Sequence, residues 1–189
     1  MMRSRWWSPA TLLGAALLLA GCGYNRIQSM DERVNQAQGQ IQTQLQRRAD
    51  LIPNLVNTVK GVTKQEDTVF ISIANARARL SGAVQAGNVQ EMAAANDQLS
   101  AGLGRLLAIS ENYPQLRSSE NFRQLQDQLE GTENRISVAR TDYNTAVGEY
   151  NAFIRRFPYN LTAKIFGLDK PRQYFGAQAG AQEAPKVQF

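Results

Sequence analysis

The sequence predicts an all-α fold: an elongated, antiparallel up-and-down helical bundle, with four helices favoured and an extended three-helix form if the first two are continuous. Two observations carry this. Across residues 26–157, Gly and Pro are sparse while Gln, Ala, Leu, Arg and Glu dominate, a composition of high helix propensity. Within that stretch apolar residues return at alternating spacings of three and four, the period of a helix with one buried face. Apolar faces on every helix require antiparallel partners.

The chain opens on a segment of different character. Arg3 and Arg5 precede an apolar run from Ala10 to Ala20, which closes on Leu19-Ala20-Gly21-Cys22. A charged start, an apolar run and small residues before a cysteine describe a secretory signal. The last four residues look like the bacterial lipobox, in which the cysteine takes a diacylglyceryl group and cleavage leaves Cys22 first. Cys22 is the only cysteine, so an intramolecular disulfide is excluded. Its thiolate is small and nucleophilic enough to take the lipid. The alternative is an uncleaved anchor, since Trp6 to Gly23 is about the ~18 residues that a short spanning helix needs. The organisation expected is a signal peptide over 1–21, a bundle domain over 22–168 and a flexible tail over 169–189. If the host has two membranes, Gly23 lacks the aspartate often associated with inner-membrane retention. The expected location is then the periplasmic face of the outer membrane.

The first helical region, from about Arg26 to Ala86, carries two seams. Ile27, Met30, Val34, Ala37 and Ile41 form one; Leu55, Val59, Val62, Glu66, Val69, Ile73, Ala76 and Leu80 form the other. Pro53 lies between them, removes a backbone donor and should kink the helix, freeing a carbonyl near residue 49. Thr63-Lys64-Gln65-Glu66 after Gly61 fits a capping box behind a glycine stop and favours a break there. The continuing register favours one kinked helix. A second helix, capped by Asn88 and closed by Pro114, runs Val89, Met92, Asn96, Leu99, Leu103, Leu106, Ser110, Tyr113. A third follows Ser118 or Ser119. Its seam is Phe122, Leu125, Leu129, Thr132, Ile136, Ala139, Tyr143, Ala146, Tyr150, Phe153 and Phe157, five heptads without a slip. Tyr159 to Gly167 forms a short amphipathic helix or turn. Asp169 to Phe189 mixes Gly, Ala, Gln and Pro without period and reads as tail.

Composition narrows the chemistry. There is no histidine, so the commonest general acid/base and metal ligand are both missing. No Gly-rich phosphate loop is present, and no cofactor is expected. Loss of Arg3 and Arg5 with the signal leaves 19 basic against 16 acidic residues, a net charge of +3. No basic cluster with interleaved aromatics suggests nucleic acid.

Specific runs carry a resemblance. They are Tyr24-Asn25, Gln46-Arg47-Arg48-Ala49-Asp50-Leu51-Ile52-Pro53-Asn54-Leu55-Val56, Val59-Lys60-Gly61 with Glu66, and Tyr113-Pro114. Phe122, Leu125, Glu133-Asn134-Arg135-Ile136, Arg140, Tyr143-Asn144, Tyr150-Asn151 and Phe157-Pro158 complete them. Over nearly the whole mature length the chain resembles the LemA family. The resemblance implies a membrane-anchored helical bundle of bacteria without an established enzymatic activity. Family members commonly keep a spanning helix, whereas this chain has Cys22 in a lipobox, which favours attachment by lipid.

The charged residues of those runs have a physical reading. With Phe122 at heptad position a, Glu133 and Arg140 fall at e and Arg135 at g, the positions that form interhelical ion pairs. The favoured arrangement is one cluster in which Arg47 or Arg48 pairs with Glu133, and Asp50 with Arg135 or Arg140. The rival is a ligand or partner site built from the same charges. Glu66 is either the N3 residue of the capping box or a buried carboxylate facing Arg48. Asn96 resembles a register-setting polar residue in a seam. Tyr143 and Tyr150 enter the core, while Asn144 and Asn151, one heptad apart at position b, form a candidate contact strip for a partner.

Three functions are open. The first is a lipid-anchored scaffold or assembly protein of the cell envelope, partnering other envelope proteins or forming a homo-oligomer. The second is a module holding a small ligand in the bundle, with room left by Ala37, Ala76, Ala139 and Ala146. The third, an enzyme using Glu66, Glu133 or Asp50, ranks last.

Overall fold

The computed structural model describes the backbone of residues 9–61 and 67–176, with side chains from residue 23 onward. Every regular element among these residues is a helix: α1 (Pro9–Lys60), α2 (Asp67–Ala86), α3 (Val89–Ser110), α4 (Pro114–Arg117), α5 (Glu120–Arg155) and α6 (Tyr159–Ile165). The protein is an all-α helical bundle. The chain divides into two compact units. One comprises Met1–Gln36 with Thr145–Arg172, the other Ala37–Asn144 with Gln173–Phe189. Both α1 and α5 contribute to each.

α1 buries one continuous face, from Ile27, Met30 and Val34 to Ile52, Leu55 and Val59. Pro53 lies inside the helix without interrupting that face. Proline has no N–H, so the carbonyl of Ala49 lacks its helical donor. Arg77 of α2 replaces it, Nε donating to Ala49 O at 2.8 Å. The freed carbonyl is legible in the sequence; its donor, an arginine of the next helix, is not. α1 ends at Lys60, with Gly61 N donating to Asn57 O. The first two helices are therefore separate and the four-helix arrangement holds. Val62, Glu66 and the expected capping box lie outside the described residues.

The second unit packs α1, α2, α3 and α5 up and down. α2 stops in a glycine cap: Gly87 takes φ +66°, Asn88 N donates to Ala83 O and Gly87 N to Val84 O. Asn88 then caps α3, its side chain accepting from Glu91 N at 3.1 Å. Gln38 of α1 fastens this turn through Gly87 O. Along the α2–α3 hairpin the helices approach closely at Gly102, where an added Cβ would fall 2.9 Å from Ile73 Cγ1. The α3 seam buries as its spacing predicts, from Val89 to Ser110, although Tyr113 is only half-buried. Pro114 closes α3 and opens the one-turn α4, which seats Leu116 in the core.

α5 spans 36 residues, about 54 Å at 1.5 Å per residue. Its buried face shifts. Ile136, Ala139, Tyr143 and Tyr150 follow the expected seam, but Val147 and Ile154 are buried beside it, while Ala146 and Phe153 are half-buried and Phe157 is exposed. A 3.5-residue repeat drifts against a 3.6-residue helix by ~20° per heptad, so five heptads amount to one residue position. The unslipped seam does not survive that drift.

Candidate functional site

The second unit places its most buried charge where α1, α3 and α5 meet. Arg48 lies on the buried face of α1 and is 5 % exposed. Its Nη1 donates to Asn96 Oδ1 of α3 at 2.7 Å and pairs with Glu133 of α5 at 2.5 Å. Burial lowers the guanidinium pKa, while the carboxylates of Glu133 and Asp97 work against that shift. The group stays charged at neutral pH and binds three helices at one level. Asn96 thus has a concrete role at its seam position.

The other charges of the expected cluster go elsewhere. Arg47 and Asp50 are exposed, and Asp50 accepts from Gln46, one turn back on the same helix. Among the described residues no ion pair joins Asp50 to Arg135 or Arg140. The antiparallel register set at Arg48 and Glu133 explains this for Arg140. It puts that residue opposite about residue 41, some 13 Å along the axis from Asp50. Arg135, on the opposite edge of the seam from Glu133, lines an open groove of about 350 Å³ with Gln40, Gln44, Asn134, Val138, Ala139 and Asp142. Gln44 Oε1, of a residue lining that groove, and Arg48 Nε are buried without a hydrogen-bond partner among the described residues. Glu66 lies outside those residues. Among the described residues one pair, with a buried arginine and a half-exposed glutamate, rather than one cluster of six, is what α1 and α5 build.

Asn144 and Asn151 contact the chain's own C-terminal segment. In the second unit, Asn144 Nδ2 donates to Phe175 O at 3.2 Å while Phe175 N donates to Asn144 Oδ1 at 2.8 Å. Tyr143 OH donates to Gln173 O at 2.8 Å. Arg140 lies over the Phe175 ring, its guanidinium 6.0 Å from the centroid. In the first unit the same pattern recurs. Asn151 Nδ2 donates to Arg172 O and Arg172 N to Asn151 Oδ1, at 2.9 and 2.8 Å, and Tyr150 OH donates to Leu168 O. Arg172 also clamps Asp31 of α1 through Nε and Nη2, at 2.9 and 2.7 Å. Burial, and next the Asp31 carboxylate, raise the Tyr150 pKa; Arg172 opposes them.

Residues 169–176 are therefore held, where composition predicts tail; residues 177–189 lie outside the described ones. The physical reason is hydrogen-bond satisfaction. Residues 171–174 form no secondary structure, so their backbone groups need other partners. A side-chain amide that both donates and accepts supplies two at once. Gly167, at φ +69°, ends α6 with Leu168 N donating to Ala163 O, and releases the segment towards Tyr150. The available signal was the repeated Tyr-Asn pair at an interval of seven. A solvated b position does not call for an amide beside each core tyrosine.

The first unit also contains the exit from the expected anchor. The Cys22 side chain lies outside the described residues. Gly23 packs on α6, where an added Cβ would fall 3.0 Å from Tyr159 Cδ1, and the Tyr24 ring lies 4.6 Å from that of Phe166. Among the described residues, no helix is long and apolar enough to cross a membrane, and no group of His, Cys, Asp and Glu is placed to hold a metal ion.

Comparison with known proteins places these features in a family. The model described as "LemA family" matches residues 37–189. Magnetosome proteins MamQ 1 and MamQ 2 of Paramagnetospirillum magneticum are each 28 % identical over 178 residues, covering 80 % of this chain and 64 % of their own. Magnetosome protein MamQ of Magnetospirillum gryphiswaldense is 26 % identical over 183 residues, covering 83 % of this chain and 66 % of its own. The chain thus spans under two thirds of the length of these relatives.

Proposed function

The chain belongs to the LemA family, and from that we propose that it is a lipid-anchored helical scaffold of the bacterial cell envelope, working through its surfaces on partner proteins. One observation carries this reading. The polar residues that distinguish the family runs, Arg48, Glu133, Tyr143-Asn144 and Tyr150-Asn151, bond to other parts of the same chain. They fix helices and the C-terminal segment instead of converging on an open pocket, which is the arrangement of a framework. Attachment through Cys22 rests on the lipobox, and membrane association on family membership. The outer-membrane location, facing the periplasm, rests on Gly23 and applies to a host with two membranes.

A second reading, a ligand-binding module, is favoured by the groove that Gln44 lines, since Gln44 Oε1 is buried without a hydrogen-bond partner among the described residues. Crosslinking in intact cells separates the two. A scaffold yields recurrent envelope proteins, or a second copy of this chain, on wild type. A ligand module yields a co-purifying small molecule and no recurrent protein. For the anchor, wild type should take up radiolabelled palmitate and lose its first 21 residues, while Cys22→Ser stays unlabelled and larger. Wild type that keeps those residues and takes no label has a spanning anchor instead. Density-gradient fractionation tests the location, and recovery with inner-membrane markers would count against it.

A further inference from the structure

Six large apolar side chains stand exposed among the described residues. Four of them crowd around α6: Phe157 (75 %), Leu161 (54 %), Ile165 (78 %) and Phe166 (54 %). Single exposed apolar residues are ordinary, but a contiguous group marks a contact surface. Leu161 and Ile165, one turn apart, face outward while Thr162 and Ala163 between them are buried. Exposed cations flank the group: Arg155, Arg156, Lys164 and Lys170, against the single carboxylate of Asp169. An apolar face rimmed by Lys and Arg suits the boundary between lipid headgroups and acyl chains. It suits the centre of a protein interface poorly, since lysine is depleted there.

The position of the patch points the same way. Cys22 is bonded to Gly23, and Gly23 and Tyr24 pack on Tyr159, Thr162 and Phe166 of α6. The chain therefore leaves its anchor against the element that carries the apolar group. We propose that Phe157–Phe166 is a second membrane contact, which lays α6 on an anionic bilayer beside the anchor. Phe157, Leu161, Ile165 and Phe166 enter at headgroup depth, and Arg155, Arg156, Lys164 and Lys170 pair with lipid phosphates. This rests on the membrane-anchored reading above. Near an anionic surface each such cation strengthens binding by about fivefold, so the contact fixes how the first unit is presented to the membrane.

The chain's two tryptophans, Trp6 and Trp7, both lie in the leader. Full-length protein carrying Trp6→Phe, Trp7→Phe and Ile165→Trp therefore has a single indole, whether or not the leader is removed. It is reconstituted into vesicles of phosphatidylethanolamine and phosphatidylglycerol with brominated acyl chains. The expected result is loss of indole emission relative to unbrominated vesicles. That loss should diminish when Arg155, Arg156, Lys164 and Lys170 are replaced by glutamine. The same reporter at exposed Ile71, on α2, should keep its emission. Flotation and palmitate labelling of the same sample read the anchor separately. If the protein floats while the reporter at position 165 is unquenched, the patch proposal is overturned and the anchor stands. If it neither floats nor takes label, yet the reporter is quenched by added vesicles, the patch stands and the anchor fails. Shielding of the reporter by envelope protein extract but not by lipid overturns the membrane assignment in favour of a protein partner.

Discussion

Arg48 shows how one buried charge can be both a cost and a constraint. Its guanidinium is desolvated, and the Glu133 carboxylate, the Asn96 amide and the charge of Asp97 offset that. Removing a partner should therefore hurt more than removing the charge. Glu133 is half exposed, so Glu133→Ala should cost about 2 kcal/mol, between the exposed and fully buried limits. Arg48→Met should cost less, and the double variant no more than Glu133→Ala alone. Urea denaturation of the four proteins measures this; additive losses would show that the pair is not coupled. Tyr150 gives a pH signature. It is 2 % exposed, and its pKa is raised mainly by burial. A raised phenol pKa means the native state holds the proton more tightly than the unfolded chain. Its contribution is complete below about pH 10 and is lost as pH rises through the native value. Tyr150→Phe should cost about 1 kcal/mol at neutral pH through the lost bond to Leu168 O, and should flatten the alkaline decline. An unchanged slope between pH 9 and 11 would dismiss the effect.

At the scale of elements, local chemistry was readable where one helix decides it. Asn88 as a cap, the freed carbonyl at residue 49 and the α3 seam follow from spacing and from proline's missing donor. Arg77 did not, because its partner is set by the approach of α2 to α1, which no local pattern encodes. Beyond Tyr143 the α5 seam keeps Tyr150 but shifts from Ala146 and Phe153 to Val147 and Ile154, since a strict heptad written on paper ignores the helix's own period. The α2–α3 contact offers a clean comparison on one helix. At Gly104 an added Cβ meets nothing within 4 Å, whereas at Gly102 it meets buried Ile73. Gly104→Ala should stabilise the fold by up to ~1 kcal/mol through helix propensity. Gly102→Ala gains the same propensity but overpacks, at ~1–3 kcal/mol, and should come out neutral to destabilising by ~2 kcal/mol. Thermal unfolding that ranks Gly102→Ala above Gly104→Ala would contradict the close approach.

For the whole molecule, the C-terminal segment is the part that sequence patterning misjudges. Pro171 and the absence of a period suggest tail, yet Phe175 is buried and Arg172 makes bonds to both Asn151 and Asp31. Eight hydrogen bonds from Tyr143, Asn144, Tyr150, Asn151 and Arg172, at about 1 kcal/mol each, predict that ending the chain at Gly167 destabilises it by on the order of 5 kcal/mol or more. Hydrogen exchange should show faster opening along α5 in both units. A loss under ~1 kcal/mol would mean the segment merely rests there. The clasp between Arg172 and Asp31 has a temporal side as well. It joins residues 141 positions apart, and the first unit is drawn from two segments far apart in the chain, Met1–Gln36 and Thr145–Arg172. A nascent polypeptide cannot finish that unit until residue 172 has left the ribosome, and closing so long a loop carries the larger entropic penalty. The first unit is thus completed only after most of the chain has been made, and the second, which takes in Phe175, waits a few residues longer.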